Sequence, residues 1–158
     1  MDQADLVVIA PGDLYTSLGP LLIIDGIGDA LRRTRAKVVY VCNLVTKDGQ
    51  TNGFTVSDHA KEIERFGGGS FLDGVIYNNQ IPSRRILERY KAENDYLVEV
   101  DEAQLLAQPY QAIGGNFLGQ IARYNREDTH LPVVRSLIRH NPTTVASALI
   151  ELVQPVNK

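Results

Sequence analysis

Short β-branched runs alternate along this chain with longer segments of helical period, and that alternation constrains the fold more than any other feature. Asp5-Leu6-Val7-Val8-Ile9, Lys37 to Asn43, Gly74-Val75-Ile76-Tyr77 and Asp95 to Val100 read as strands. Strands that are apolar almost without interruption belong to parallel sheets covered on both faces. Parallel neighbours cannot be joined by tight turns, so the intervening segments must act as right-handed crossovers. The expected fold class is therefore α/β: a Rossmann-like parallel sheet with helices on both faces.

The helical segments carry their own punctuation. After the first strand the chain is broken by Gly19-Pro20 and Asp25-Gly26, and a second piece runs from Ile27 to Arg33, ending in a basic cluster that suits a helix C-terminus. Thr55 with Asp58 three residues on has the form of a capping box. Val56, Ala60, Ile63 and Phe66 then form an apolar stripe, which Gly67-Gly68-Gly69 terminates. Ser83 is placed to open a helix through Tyr90, and Asn141-Pro142 to open the last one as N-cap and first residue. That last helix runs to about Leu152 with Val145, Ala148, Leu149 and Leu152 on one face. Residues 110–124 and Pro132 to Arg135 are weaker strand candidates.

Composition bounds the function classes. With 158 residues, 44% of them hydrophobic, the chain reads as one domain over 1–158, a size that buries roughly 70% of the surface its unfolded form exposes. Sixteen basic residues against nineteen acidic ones give a net charge of −3, which argues against a dedicated nucleic-acid binder, whose basic residues usually cluster on one face. No apolar run approaches the roughly 20 residues of a membrane span. The acidic start, Met1 to Asp5, lacks the form of a signal peptide. Cys42 is the single cysteine and lies inside an apolar run, so it reads as a core residue in a reducing, cytoplasmic setting.

Polar residues gather where chemistry is expected. Open parallel sheets bind ligands beyond the carboxyl ends of their strands, and Pro11 to Ser17, Asn43 to Phe54 and Asn78-Asn79 all follow strands. Three such loops on one edge point to a shared cleft. Gly12 allows close backbone approach, and Thr16 and Ser17 precede an apolar helix in the manner of a phosphate site. Asp13 would repel phosphate unless a metal or a ribose hydroxyl lay between. Lys47 reads either as a phosphate partner or as a solvated surface charge, and His59 either as a cleft residue or as a surface one. Gly26-Ile27-Gly28 lacks the remaining glycine and the preceding strand of a dinucleotide fingerprint. His130 and His140 lie far from any metal-spaced cluster.

These residues carry a resemblance. Asp5 to Ser17 (DLVVIAPGDLYTS) followed by Gly19-Pro20-Leu21-Leu22 resembles the segment GPGSLYTS and its P-N-L-L continuation in the CofD-like superfamily. Val39 to His59 is similar to that family's VYVCN strand and T-x-x-G-[EQ]-T-[DN]-G loop, and Arg139-His140-Asn141-Pro142 resembles its R-H-D-P helix opening. The superfamily includes 2-phospho-L-lactate transferase and the YvcK-type gluconeogenesis factor, and the second loop is closer to the YvcK type. Lys47-Asp48, Gln50 and Asp13 depart from the usual residues.

The resemblance implies a cleft for a nucleotide diphosphate, either a UDP-sugar or a guanylyl-activated phospholactyl donor. Gly12, Asp13, Tyr15, Thr16, Ser17, Asn43, Thr46 and Asp58 would line it, and Mg²⁺ would accompany the nucleotide on Asp13 or Asp58. Any activity would be transfer of a phospho-acyl-type group, and the alternative is a non-catalytic regulatory or assembly module in carbon metabolism and cell-wall control. Family members are longer and begin with a G-G-G-T-G phosphate loop. The chain is thus expected to correspond to their C-terminal part, without the phosphate-loop half, and exposed strand edges make a homo-oligomer the expected state.

Overall fold

The computed structural model describes residues 1, 3–119 and 138–153. It contains a four-stranded sheet in the order β1 (Leu6–Ile9), β2 (Lys37–Val41), β3 (Gly74–Asn78) and β4 (Gln111–Gly115). All neighbours are parallel, with Val8 opposite Val39, Tyr40 opposite Val75 and Ile76 opposite Ile113. Three successive crossovers step in one direction across the sheet. Right-handed connections of that kind bring their helices to one face, and the packing agrees.

Side chains alternate between the two faces with the strand period of two. Val7, Ile9, Val38, Tyr40, Cys42 and Val75 point to a core shared with α1 (Gly19–Leu22), α2 (Ile27–Arg33), α3 (Val56–Phe66) and α5 (Glu102–Leu106). Leu6, Val39, Val41, Ile76 and Ile113 point the other way and meet Val145, Ala148, Leu149 and Leu152 of α6 (Pro142–Val153). The α/β sheet with helices on both faces is therefore what the chain forms, with α6 alone on the second face among the described helices. α4 (Arg84–Lys91) lies against neither face. It packs Ile86 and Tyr90 against Leu44 and Ile138, beyond the end of β2.

The capping box forms as the spacing predicts. Thr55 accepts from the Asp58 amide at 3.2 Å, and Asp58 Oδ2 accepts from the Thr55 amide at 3.0 Å. Asn141 Oδ1 accepts from the Thr143 and Thr144 amides at 3.0 and 3.3 Å, so α6 starts at Pro142. Ser83 precedes α4 but makes no side-chain cap bond. Gly28 stands where α2 meets the end of α3: a Cβ there would lie 2.1 Å from the Gly67 carbonyl oxygen.

One strand expectation is corrected. Asp95 to Val100 does not enter the sheet. It crosses the second βα loop instead, bridging Val45 with Leu97 and Thr55 with Glu99. Thr46 N donates to Tyr96 O at 2.7 Å, Val98 N to Leu44 O at 3.2 Å and Val56 N to Glu99 O at 2.9 Å. Alternating residues suit any extended segment that finds a partner, and here the partner is a loop. The fourth place in the sheet goes to Gln111–Gly115, inside the weaker 110–124 candidate. Its glycines are a packing requirement: the Tyr77 ring lies over Gly114, where a Cβ would come within 2.7 Å of the Tyr77 hydroxyl. Pro132 to Arg135 and the rest of 110–124 beyond Gly119 lie outside the described residues, as does His130.

Candidate functional site

The carboxyl edge of the sheet is organised by Asn43, the second residue after β2. Its Nδ2 donates to Gly12 O at 2.9 Å, and its Oδ1 accepts from Gly12 N at 3.3 Å. This reciprocal amide pair joins the loops that follow β1 and β2. It satisfies both backbone groups of Gly12 at a place where no ladder can. After Gly12 the chain winds in a wide turn over Leu14–Leu18, with Ser17 N and Leu18 N both donating to Asp13 O, at 2.9 and 3.0 Å. Leu14 anchors this turn in the core at 1% exposure, while Asp13, Tyr15, Thr16 and Ser17 stay exposed around it.

The other candidate side chains are placed as follows. Thr16 Oγ1 is 3.4 Å from Asp13 Oδ2, so these two share one end of the loop. Tyr15 turns toward α3 and meets Phe66 edge-on at 5.7 Å between centroids. Burial and the neighbouring Glu62 push its hydroxyl pKa up. Thr46 is buried and its hydroxyl accepts from the Tyr96 amide at 2.9 Å, which ties the crossing segment to the loop. Asp58 serves the capping box. The geometry thus brings Gly12 and Asn43 into direct contact and pairs Asp13 with Thr16, whereas Tyr15, Thr46 and Asp58 bond to their own surroundings.

Lys47 is half exposed and reaches the buried Asp95, Nζ to Oδ2 at 3.4 Å, so its charge already has a partner. The other Asp95 oxygen accepts from Asp48 N at 2.8 Å. Of the two readings of His59, neither describes the side chain: it is 0% exposed, stands edge-on to Phe54, and its Nδ1 lies 2.9 Å from Thr55 O. Desolvation lowers its pKa. An apolar helix face accounts for that placement, since His59 follows Val56 on the core side of α3. Cys42 is buried, and desolvation pushes its thiol up to about 12, which suits a core residue and no nucleophile.

Further residues outside the candidate set help to build this edge. Asp101, far from the start of α3 in sequence, accepts from Ser57 N at 3.1 Å and from Thr55 Oγ1 at 2.9 Å, and bonds the Ser57 hydroxyl. His140, in the R-H-N-P motif, places Nε2 3.1 Å from Cys42 O, beside Asn43. Asn78 was visible as part of a polar pair. Its Oδ1 accepts from Phe117 N at 3.1 Å and its Nδ2 donates to Gln80 O at 2.7 Å, which fixes the loop after β3.

Between the ends of β2 and β3 these loops leave a cleft of about 240 Å³. Asn43, Tyr77, Asn79, Gln80, Val56 and Val98 are among its lining residues. Among the described residues no three His, Cys, Asp or Glu side chains converge as metal ligands. A magnesium ion accompanying a nucleotide would meet Asp13 or Asp58 as one carboxylate together with ligand phosphates. No single described helix is long and apolar enough to cross a membrane.

Known proteins resemble this chain in sequence and in architecture. The family model of 2-phospho-L-lactate transferase CofD matches residues 1–118. A putative gluconeogenesis factor of Thermotoga maritima is 41% identical over 114 residues, covering 70% of this chain and 36% of the relative. The gluconeogenesis factor of Bacillus subtilis is 33% identical over 152 residues, covering 96% of this chain and 44% of the relative. A crystal structure of a UPF0052 family protein from Bacillus halodurans superposes with a TM-score of 0.80 at 32% identity, over 94% of this chain and 44% of that one. The chain spans less than half the length of these relatives.

Proposed function

The chain belongs to the CofD family, among its YvcK-type gluconeogenesis factors, and from that premise we propose that its carboxyl-edge loops form one wall of a cleft for a nucleotide diphosphate. A UDP-sugar and a guanylyl-activated phospholactyl donor are the two ligands of that class. The observation that carries the reading is the Asn43–Gly12 amide pair, which ties the loop after β1 to Asn43, itself a lining residue of the cleft between β2 and β3. A volume of about 240 Å³ falls short of the roughly 300–1,000 Å³ of a complete small-molecule pocket. One wall, and not a finished site, is what these residues supply. Isothermal titration with UDP-N-acetylglucosamine and with GDP tests the reading: heat saturating with either supports it, and silence with both up to millimolar ligand rejects it.

Chemistry is a separate question. His59 and Cys42 are buried, and Asp58 and Asp101 accept hydrogen bonds at the start of α3. No acid–base pair with an evident task emerges from that set. This favours a second reading, a non-catalytic regulatory or assembly module in carbon metabolism and cell-wall control that binds its nucleotide without turning it over. Incubation with the deazaflavin Fo and a lactyl-guanylyl donor separates the two: phospholactyl transfer to Fo rejects the non-catalytic reading.

A further inference from the structure

Among the described residues, no charged side chain lines the cleft between β2 and β3. Its inner wall is aliphatic, with Val56 and Val98 at 2% and 8% exposure, and Tyr77 stands over Gly114 at its side. Two of its amides are committed to the protein, Asn43 to Gly12 and Asn78 to Phe117 N and Gln80 O. Asn79 and Gln80 are not. They are exposed and share one long hydrogen bond, Gln80 Nε2 to Asn79 Oδ1 at 3.4 Å. Among the described residues, that leaves Asn79 Nδ2 and Gln80 Oε1 as a donor and an acceptor without a partner on adjacent residues at the rim.

Phosphate oxygens placed against Val56 and Val98 would lose water and gain no cation there, a desolvation cost that the aliphatic wall does not return. A neutral planar ring meets the opposite situation. Its faces lose water against aliphatic walls, which is favourable, and an edge bearing adjacent N–H and C=O groups matches a paired amide donor and acceptor. The volume of about 240 Å³ has room for such a ring.

We infer that this cleft is the subsite for the uncharged heterocycle of the ligand, a nucleobase-like ring with an amide edge, which Asn79 and Gln80 read while the phosphates stay outside. The inference rests on the nucleotide reading above and assigns its base-recognising residues. The test uses the full chain with phosphate-free nucleosides, uridine and guanosine, and with inorganic pyrophosphate, followed by NMR. One of the nucleosides is expected to shift the signals of Val56, Tyr77 and Val98, and pyrophosphate is expected to leave them in place. Asn79→Ala combined with Gln80→Ala, both at exposed positions that the fold does not depend on, is expected to weaken that nucleoside about tenfold. Pyrophosphate affinity should stay within about twofold in the same variant, less than the tenfold step of a lost good contact. Pyrophosphate binding with no nucleoside response at these residues overturns the assignment while the nucleotide reading stands. Failure of nucleosides, pyrophosphate and intact nucleotides alike overturns both.

Discussion

Replacing Asn43 by aspartate tests the organising contact of the carboxyl edge with almost no change of shape. The new side chain would keep an acceptor for Gly12 N but would turn a carboxylate oxygen toward Gly12 O, where Nδ2 now donates at 2.9 Å. One neutral hydrogen bond is lost, worth about 1 kcal/mol net, and a part-buried carbonyl loses its donor, so the cost should be about 1–2 kcal/mol. At about 2–4 °C per kcal/mol for a chain of this size, Tm should fall by roughly 2–8 °C. Asn43→Leu removes both bonds and should cost more, about 2–3 kcal/mol. Urea unfolding followed by circular dichroism measures the difference. A midpoint shift in Asn43→Asp equivalent to less than about 0.5 kcal/mol, the scatter of ordinary surface changes, would refute the claim that this amide pair holds the two loops together.

Other outcomes follow from the same structure. Gly28→Ala would place a Cβ 2.1 Å from Gly67 O, and the displacement of α2 from α3 should cost about 3 kcal/mol or more, read from the urea midpoint. His59 and His140 both have folded-state pKa values lowered by desolvation below the usual 6.5. The unfolded chain therefore takes up protons more readily, so their contribution to stability is present above pH 6.5 and is lost as pH falls through the folded values. Urea midpoints at pH 7.5 and 5.5 should show that loss, and His59→Gln should flatten it. Cys42, with its thiol pushed up to about 12 and fully buried, should be inert to a thiol reagent in the native protein and should react at once in urea.

Most of the scaffold was legible because its signals are local. The β-branched runs of β1, β2 and β3, the Thr55–Asp58 box and the apolar face of α6 each lie within a short stretch of chain and have one structural solution. β4 was faint because its glycines answer to Tyr77 and Phe117, contacts that sequence does not display. Asp95 to Val100 has the alternation of a strand, but its partner is the loop around Thr46, and alternation does not name a partner. The candidate site was legible as loops and not as side chains. Strand ends told which loops share an edge. They did not tell that Asn43 would spend its amide on Gly12 or that Lys47 would pair with Asp95, because each outcome depends on residues distant in sequence; the inward turn of His59 follows instead from its place beside Val56 on the apolar face of α3.

Whether the carboxyl edge of the sheet is a nucleotide-binding wall can be read by mapping backbone amide shifts of the full chain as UDP-N-acetylglucosamine or GDP is added. The largest shifts are expected on Gly12 to Ser17, Asn43 to Thr46 and Asn78 to Gln80, the three loops on that edge. Shifts centred on Gln3, Asp5, Lys37 and Val153, which line the groove at the opposite end of the strands, would contradict it.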